Sequence, residues 1–317
     1  MVSQSLDHPL PPVSTRRPFH LAFLSAALRI TPTAIRRWAY SQLISIGERR
    51  GWRIHPGIYR LPFGLVVKRS PFDVQRVEAA ALHFLESDTR DVSHPLLIDA
   101  VSTDERVAVR DETRRTTYTI MTFISGDTAC DVMDDSFTPN DWARLEMDLR
   151  KQLDALRLHT SQQSHEICNA AGGIVYDPAR LSWVAEEQLR LATAKEFFSQ
   201  LWPGLSIPRN RDTIRPVIQP LIDKPIPISF CHADLVPRNL IFPGGLDAWR
   251  AGRSRVCIID WEYAGWMPEP WDAIKSILIL GEEDDPWLPF VKRVFPGYDE
   301  YLEAEMLWRS KSGMMII

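Results

Sequence analysis

The sequence predicts an α+β protein of two lobes, a small strand-rich one on the N-terminal side and a larger, mainly helical one after it. Three observations predict this. The chain has 317 residues, enough for about two lobes at roughly 150 residues each. Its first half carries β-branched and aromatic runs around one helix. Its second half carries helical periodicity around a small cluster of short apolar runs. The apolar fraction of 45% and charged fraction of 25% suit a globular chain with a core of useful size.

The elements follow in order. Residues 1–18 hold four prolines and are expected to be disordered. Thr31-Pro32 starts a helix, with Pro at an early position, and Ile35, Trp38, Leu43 and Ile46 fit one face of it. Residues 52–69 read as a hairpin turning near Leu61-Pro62-Phe63-Gly64 and returning through Leu65-Val66-Val67. A helix is expected from Asp73 to Glu86, with Pro71 and Asp73 at its start. Strands are expected at 97–101, 106–110 and, most strongly, 116–124 (TTYTIMTFI), which Ser125-Gly126-Asp127 breaks. Helices are expected over 138–159, with Trp142, Leu145, Leu149, Leu153 and Leu156 on one face, over 179–201, and from Trp271 onward. The divisions are an extension over 1–50, partly disordered with a helix, a strand-rich lobe over 51–124, and a helical lobe over 125–317.

Bulk properties exclude several classes. The net charge of −4 provides no global basic field, so no nucleic-acid partner is expected. The four cysteines are far apart and form no C-x-x-C pair, which reads as reduced thiols in a cytoplasmic protein. No apolar run reaches the roughly 20 residues of a membrane span. FHLAFLSAAL, residues 19–28, follows Arg16-Arg17 and imitates a signal core, but Arg29 and Thr31-Pro32 interrupt where a cleavage site would stand. Residues 1–53 hold eight arginines and two acids, Asp7 and Glu48. A basic amphipathic leader packed on the body and a mitochondrial presequence are both compatible with that. The acidic run GEEDDP, residues 281–286, reads as a solvated loop.

Four features carry chemistry. Lys68 closes the apolar run Leu65-Val66-Val67, where a lysine can also simply reach to solvent. Glu78 falls on an apolar helical stripe with Val74, Ala81 and Leu85 and needs a cation there. Lys68 is the candidate, and such a pair fixes a phosphate-holding lysine in kinases. His232-Ala233-Asp234 and Asn239 form H-x-D-x4-N between two strand-like runs. In phosphoryl transfer the Asp takes or aligns the proton of the attacking hydroxyl, and the Asn gives an oxygen to magnesium. Asp260 follows the run Val256-Cys257-Ile258-Ile259, where a carboxylate is costly without a cation, and it suits a magnesium ligand. His232 reads as loop scaffold, and Arg238 as a local ion pair or a phosphate screen. A hydrolase using His232, Asp234 and Asp260 around a metal is a rival, without a clear second ligand cluster.

With those residues in view, FCHADLVPRNLIF followed by VCIIDWEYAGWMPEPWDAIK resembles the aminoglycoside phosphotransferase-like family of the protein-kinase-like fold, nearest the branch abundant in filamentous fungi. RLPFGLVVKRS with Glu78, IMTFISG and GGIVYDPAR stand in the same order, and the resemblance covers roughly residues 50–280. It implies a two-lobed small-molecule kinase that moves the γ-phosphate of ATP or GTP to a hydroxyl of an unidentified metabolite or antibiotic-like acceptor, with magnesium. It implies Lys68 and Glu78 as the phosphate-binding pair, Asp234 as catalytic base, and Asn239 and Asp260 as metal ligands. Met121, Thr122, Phe123 and Ile124 would be the nucleotide-base hinge. Two departures stand out. No G-x-G-x-x-G precedes Lys68, and the residue before Asp234 is Ala233 instead of the usual Gly. The first keeps a non-catalytic kinase-like binding module as the alternative.

Overall fold

The computed structural model describes residues 10–11, 17–70, 74–89, 91–107, 112–133, 137–160, 166–175, 177, 191–278 and 285–313. Most of the expected disorder over residues 1–18, the helix start at Pro71 and Asp73, most of the 179–201 helix and most of GEEDDP lie outside the described residues.

Contacts divide the chain into two units. One comprises residues 7–132 and 240–262 and the other residues 133–239 and 263–317. The strand-rich unit opens with two helices, α1 (Phe19–Ile30) and α2 (Thr33–Arg50). Strands β1 (Arg53–His55), β2 (Ile58–Leu61) and β3 (Leu65–Ser70) follow, then α3 (Val74–Asp88), β4 (Leu97–Val107) and β5 (Glu112–Thr122). The five strands form one antiparallel sheet in the order β1-β2-β3-β5-β4. The expected hairpin is present, with a single 3-10 turn at Pro62–Gly64 in which both Phe63 and Gly64 take left-handed φ. The strand expected at 97–101 and the first two residues of the one expected at 106–110 belong to one strand, β4, which pairs with β5 to Val107; residues 108–110 lie outside the described residues. No breaker stands between 101 and 106, so pairing carries the strand through the polar residues.

Leu65 and Val67 of β3 point to one sheet face with Tyr59, Leu61 and Ile120. Leu21 of α1 and Tyr40 and Ile44 of α2 close that face. The helix expected after Pro32 is therefore correct in place but not in face. Tyr40, Ile44 and Gly47 are buried, whereas Ile35 and Trp38 are exposed. Tertiary packing chose the stripe that carries a partner for Asp99: Tyr40 donates its hydroxyl to Asp99, and Arg36 pairs with the same carboxylate at 2.5 Å. The Ser25 hydroxyl donates to the Ile98 carbonyl and ties α1 to the same strand.

The unit is completed by β6 (Gly126–Thr128) and α4 (Ala129–Val132). Gly126 begins a strand where the sequence suggested only a break. Its missing side chain lets it lie against the Phe242 carbonyl, which an added Cβ would meet at 1.9 Å. The second unit begins with α5 (Pro139–Thr160), whose Leu145, Leu149, Leu153 and Leu156 are buried as the periodicity expects. It continues with β7 (Cys168–Asn169), α6 (Ala194–Leu201), α7 (Pro208–Arg211), α8 (Arg215–Asp223) and β8 (Ile228–Cys231). The chain then returns to the first unit through β9 (Leu240–Pro243), α9 (Leu246–Arg250) and β10 (Cys257–Ile258), with β9 between β10 and β6. It ends in the second unit with β11 (Gly265–Pro268), between β7 and β8, and α10 (Trp271–Ser276), α11 (Trp287–Val294) and α12 (Asp299–Lys311). The result is α+β, with one unit built on a sheet and the other mainly helical. Among the described residues no helix is long and apolar enough to cross a membrane.

Candidate active site

Lys68 and Glu78 meet because strand alternation and helix packing point them at each other. Leu65 and Val67 face the α1–α2 side of the sheet, so Lys68 faces the opposite side. There its Nζ pairs with Glu78 Oε1 of α3 at 2.7 Å. Glu78 is buried, with its side chain 1% exposed. Lys68 Nζ also reaches Asp260 Oδ1 at 2.5 Å, and that side chain is 31% exposed. All three belong to the same unit. Burial alone would lower the Lys68 ammonium, but the charges of Glu78 and then Asp260 outweigh it and hold its pKa above the usual lysine range. Burial pushes the Glu78 carboxyl up and the Lys68 cation pulls it back, with a net upward shift. The two directions favour opposite states of the pair. We take the ammonium as charged, because two carboxylates lie within hydrogen-bond reach of it.

Asp260 leaves β10 in a left-handed conformation, φ +67°. Asp and Asn tolerate that region better than most residues. The turn is fixed on one side by the Ile258 amide, which donates to the Ser93 carbonyl, and on the other by the buried Trp261 indole, which donates to the Ile258 carbonyl.

In the helical unit, β8 delivers His232-Ala233-Asp234. Its Phe230 amide donates to the Thr160 hydroxyl at the end of α5. The amides of His232 and Ala233 both donate to the Asp272 carboxylate of α10, at 3.3 and 2.7 Å. Burial raises the Asp272 carboxyl, and those amides and the nearby His232 oppose the shift. His232 is buried, and its Nδ1 accepts the Asp234 amide at 3.1 Å, a scaffold role. The Asp234 carboxylate oxygen Oδ2 accepts from Asn239 Nδ2 at 2.9 Å and from Arg238 Nη2 at 2.8 Å. Asn239 Nδ2 also donates to the Asp234 carbonyl at 2.8 Å. Both Asn239 bonds use its nitrogen, which leaves the oxygen as its donor atom toward a cation.

Ala233 adopts φ +64° while 1% exposed in the core. Changing it to glycine should be nearly neutral. Relief of about 1 kcal/mol of left-handed strain is offset by a lost buried methyl, about 0.8 kcal/mol, and by about 0.4–1 kcal/mol of unfolded-chain entropy. Ala233→Val adds a β-branch to the same backbone and overpacks the core, at about 2–5 kcal/mol. Denaturant melts of the two variants check this; equal stability of Ala233→Val and the parent would contradict it.

Of the four residues expected to form the hinge, Met121 and Thr122 end β5, and Phe123 and Ile124 follow it. Met121 and Thr122 pair with Val66 and Leu65 of β3. The Phe123 amide donates to the Gly64 carbonyl at 2.8 Å, and the Arg60 guanidinium lies 4.4 Å from the Phe123 ring centroid. Ile124 lies just beyond the strand. Gly57, between β1 and β2, takes positive φ and lies against the Arg69 carbonyl, 2.5 Å from where a Cβ would stand.

Each unit thus assembles one cluster, Lys68–Glu78–Asp260 in the first and Asp234–Asn239–Arg238 in the second. Sequence reasoning missed two buried groups. Asp272 holds the loop before Asp234; its one signal was a carboxylate opening an apolar helix, WDAIK. Lys275 of α10 pairs with Asp177 at 2.6 Å, both side chains buried, and nothing in the spacing of those residues announces it. Among the described residues no three His, Cys, Asp or Glu side chains gather as a metal cluster.

No curated protein matches the sequence significantly. Similar solved structures include an aminoglycoside 3'-phosphotransferase of type VIII, 17% identical, with TM-score 0.45 over 80% of this chain and 87% of that one. Another is an aminoglycoside 2''-phosphotransferase in complex with GDP and kanamycin, 13% identical, with TM-score 0.49 over 85% and 87%. A choline kinase from Streptococcus pneumoniae is 13% identical, with TM-score 0.39 over 84% and 86%. The pattern of the family described as APH, phosphotransferase enzyme family, matches residues 65–304, a span that contains Lys68, Glu78, Asp234, Asn239 and Asp260. With three quarters of its length matched, the chain belongs to the phosphotransferase enzyme family.

Proposed function

We propose that the protein is a small-molecule kinase that transfers the γ-phosphate of ATP or GTP to a hydroxyl of a metabolite or antibiotic-like acceptor. The observation that carries the reading is the state of the five candidate residues. Each sits in a defined polar geometry inside the span of the family match.

The roles follow from chemistry. Asp234 aligns the acceptor hydroxyl and takes its proton. The acceptor oxygen bonds to the γ-phosphorus as the bond from that phosphorus to the β–γ bridging oxygen breaks, and the nucleoside diphosphate leaves. Lys68, kept cationic by Glu78, holds the phosphate oxygens. Met121 to Ile124 hold the base. The donor set fits magnesium, a hard cation that prefers one or two protein oxygens with phosphate and water: the Asn239 oxygen is turned away from its own hydrogen bonds, and the Asp260 carboxylate is partly exposed. Magnesium at these ligands would neutralise phosphate charge. Arg238, more than half exposed while bound to Asp234, fixes that carboxylate and brings a cation near the transferring group.

The test is a screen of alcohols, amines and amino sugars for acceptor-dependent release of ADP or GDP. A phosphorylated acceptor is the expected product. Release without any acceptor dependence would count for a hydrolase instead.

A second reading, a non-catalytic kinase-like binding module, is favoured by one observation. The β1–β2 turn offers a single glycine, Gly57, and it is packed against the Arg69 carbonyl. Thermal shift with Mg-ATP and Mg-GTP separates the two. Asp260→Asn is the suitable control, since Asn accepts the same left-handed backbone. A shift in the parent that Asp260→Asn diminishes supports the kinase; no shift in either supports the binding module.

A further inference from the structure

The helix α1 has two apolar faces. At 100° per residue, Leu21, Leu24, Ser25 and Leu28 fall on one side, and Phe19, Phe23, Ala26 and Ile30 form a stripe on the other. The first set packs on the sheet. The second is exposed, Phe19 and Ile30 to 87% and Phe23 to 67%. On α2, Ile35 and Trp38 are also exposed, Trp38 to 65%. Both helices cover the same sheet face, so both outward faces look away from the sheet to the same side. Among the described residues eleven large hydrophobic side chains are exposed, and five of them lie between residues 19 and 38. That is a patch, not the scatter of single apolar residues that any surface shows.

Its charge is as uneven as its hydropathy. Residues 1–53 hold eight arginines and two acids, against 29 basic and 39 acidic residues in the rest of the chain. Arg29, Arg37, Arg49, Arg50 and Arg53 are exposed on or just after the two helices, with Glu48 the one acid from residue 19 to residue 53. Glu48 accepts the Tyr59 hydroxyl. A two-fold contact with a second copy would set this arginine-rich patch against itself. A surface with dense negative charge over an apolar layer suits it better. Aromatic side chains and arginines flanking an apolar stripe are the composition of helices that lie in a membrane interface.

We propose that the outward faces of α1 and α2 form a docking surface for an anionic lipid bilayer, in which Phe19, Phe23, Ile30 and Trp38 enter the headgroup boundary and the exposed arginines meet lipid phosphates and carboxylates. This docking is peripheral, because α1 is 12 residues long and its other face stays on the sheet. It does not depend on the kinase reading.

The test is cosedimentation of the full-length protein with vesicles of phosphatidylcholine alone and of phosphatidylcholine with phosphatidylserine. Binding is expected to the mixed vesicles, weaker at high salt and weak to phosphatidylcholine alone. Phe23→Ser with Trp38→Ser, and separately Arg29→Glu with Arg37→Glu, should each reduce binding by roughly tenfold or more. Their thermal melts should match the parent, since these side chains point outward. Absence of binding, equal binding to both vesicle types, or parent-like binding by both variants would overturn the proposal. So would a dimer in solution that Phe23→Ser with Trp38→Ser converts to monomer while vesicles capture neither protein.

Discussion

Asp234→Asn is expected to lower the rate of phosphoryl transfer by about 10²–10⁴-fold, the usual worth of a positioned general base, while nucleotide affinity stays within about threefold. The loss has two physical sources. An amide cannot take the acceptor proton. It also disturbs the loop, because Oδ2 accepts two donors, Asn239 Nδ2 and Arg238 Nη2. An amide nitrogen in that place would face donors with a donor, and the flipped amide would aim it at the acceptor hydroxyl instead. Steady-state rates of acceptor-dependent nucleoside diphosphate release, with nucleotide binding measured by calorimetry, check both halves. Undiminished turnover would remove Asp234 from the mechanism. Weak or absent nucleotide binding with no turnover in parent and variant alike would point to the binding-module reading.

Glu78→Ala is expected to destabilise the protein by about 3–5 kcal/mol, the cost of breaking a buried ion pair from one side. Its carboxylate is buried against Lys68, and removing it leaves a buried ammonium with Asp260 as its remaining partner. The double variant Lys68→Met with Glu78→Met removes both charges and fills the space with flexible apolar side chains. It should recover most of that stability, because desolvation consumes most of what such a pair gains. It should not recover activity, since the phosphate-holding cation is gone. Urea melts and turnover measured on the same three proteins separate a structural from a catalytic role. The pH dependence has a definite sign. Lys68 has a folded-state pKa raised above its unfolded value, so its contribution is complete below about pH 10.4 and is lost as pH rises beyond it. The stability gap between parent and Glu78→Ala should therefore not narrow between pH 7 and pH 9.

Lys68 and Glu78 were legible in the sequence because each broke a local rule. A charge ending an apolar strand and a charge on an apolar helical stripe are costly apart and cheap together. The structure pairs them. The Asp234 loop was legible for a similar reason, as dense polar chemistry between two apolar runs. Asp272 was not. Its function is to accept two amides from residues about 40 positions earlier, and no local pattern encodes a contact of that separation. The Lys275–Asp177 pair is hidden in the same way. The apolar stripe of α2 was misread because Ile35 and Trp38 look like core by composition, whereas the buried face was selected by the Tyr40 and Arg36 bonds to Asp99 on β4.

The sequence by itself determined the α+β class, the hairpin before Lys68, the helix bearing Glu78, and the H-x-D-x4-N loop, all of which rest on patterns within about 20 residues. Only the tertiary structure decided that Asp260 joins Lys68 across 192 positions of sequence, and that Asp272 props the loop before Asp234. It alone decided which face of α1 and α2 is left outside. Those outcomes depend on which surfaces the fold brings together. A side chain's cost or benefit in such a contact is set by its partner, and the partner is chosen by packing.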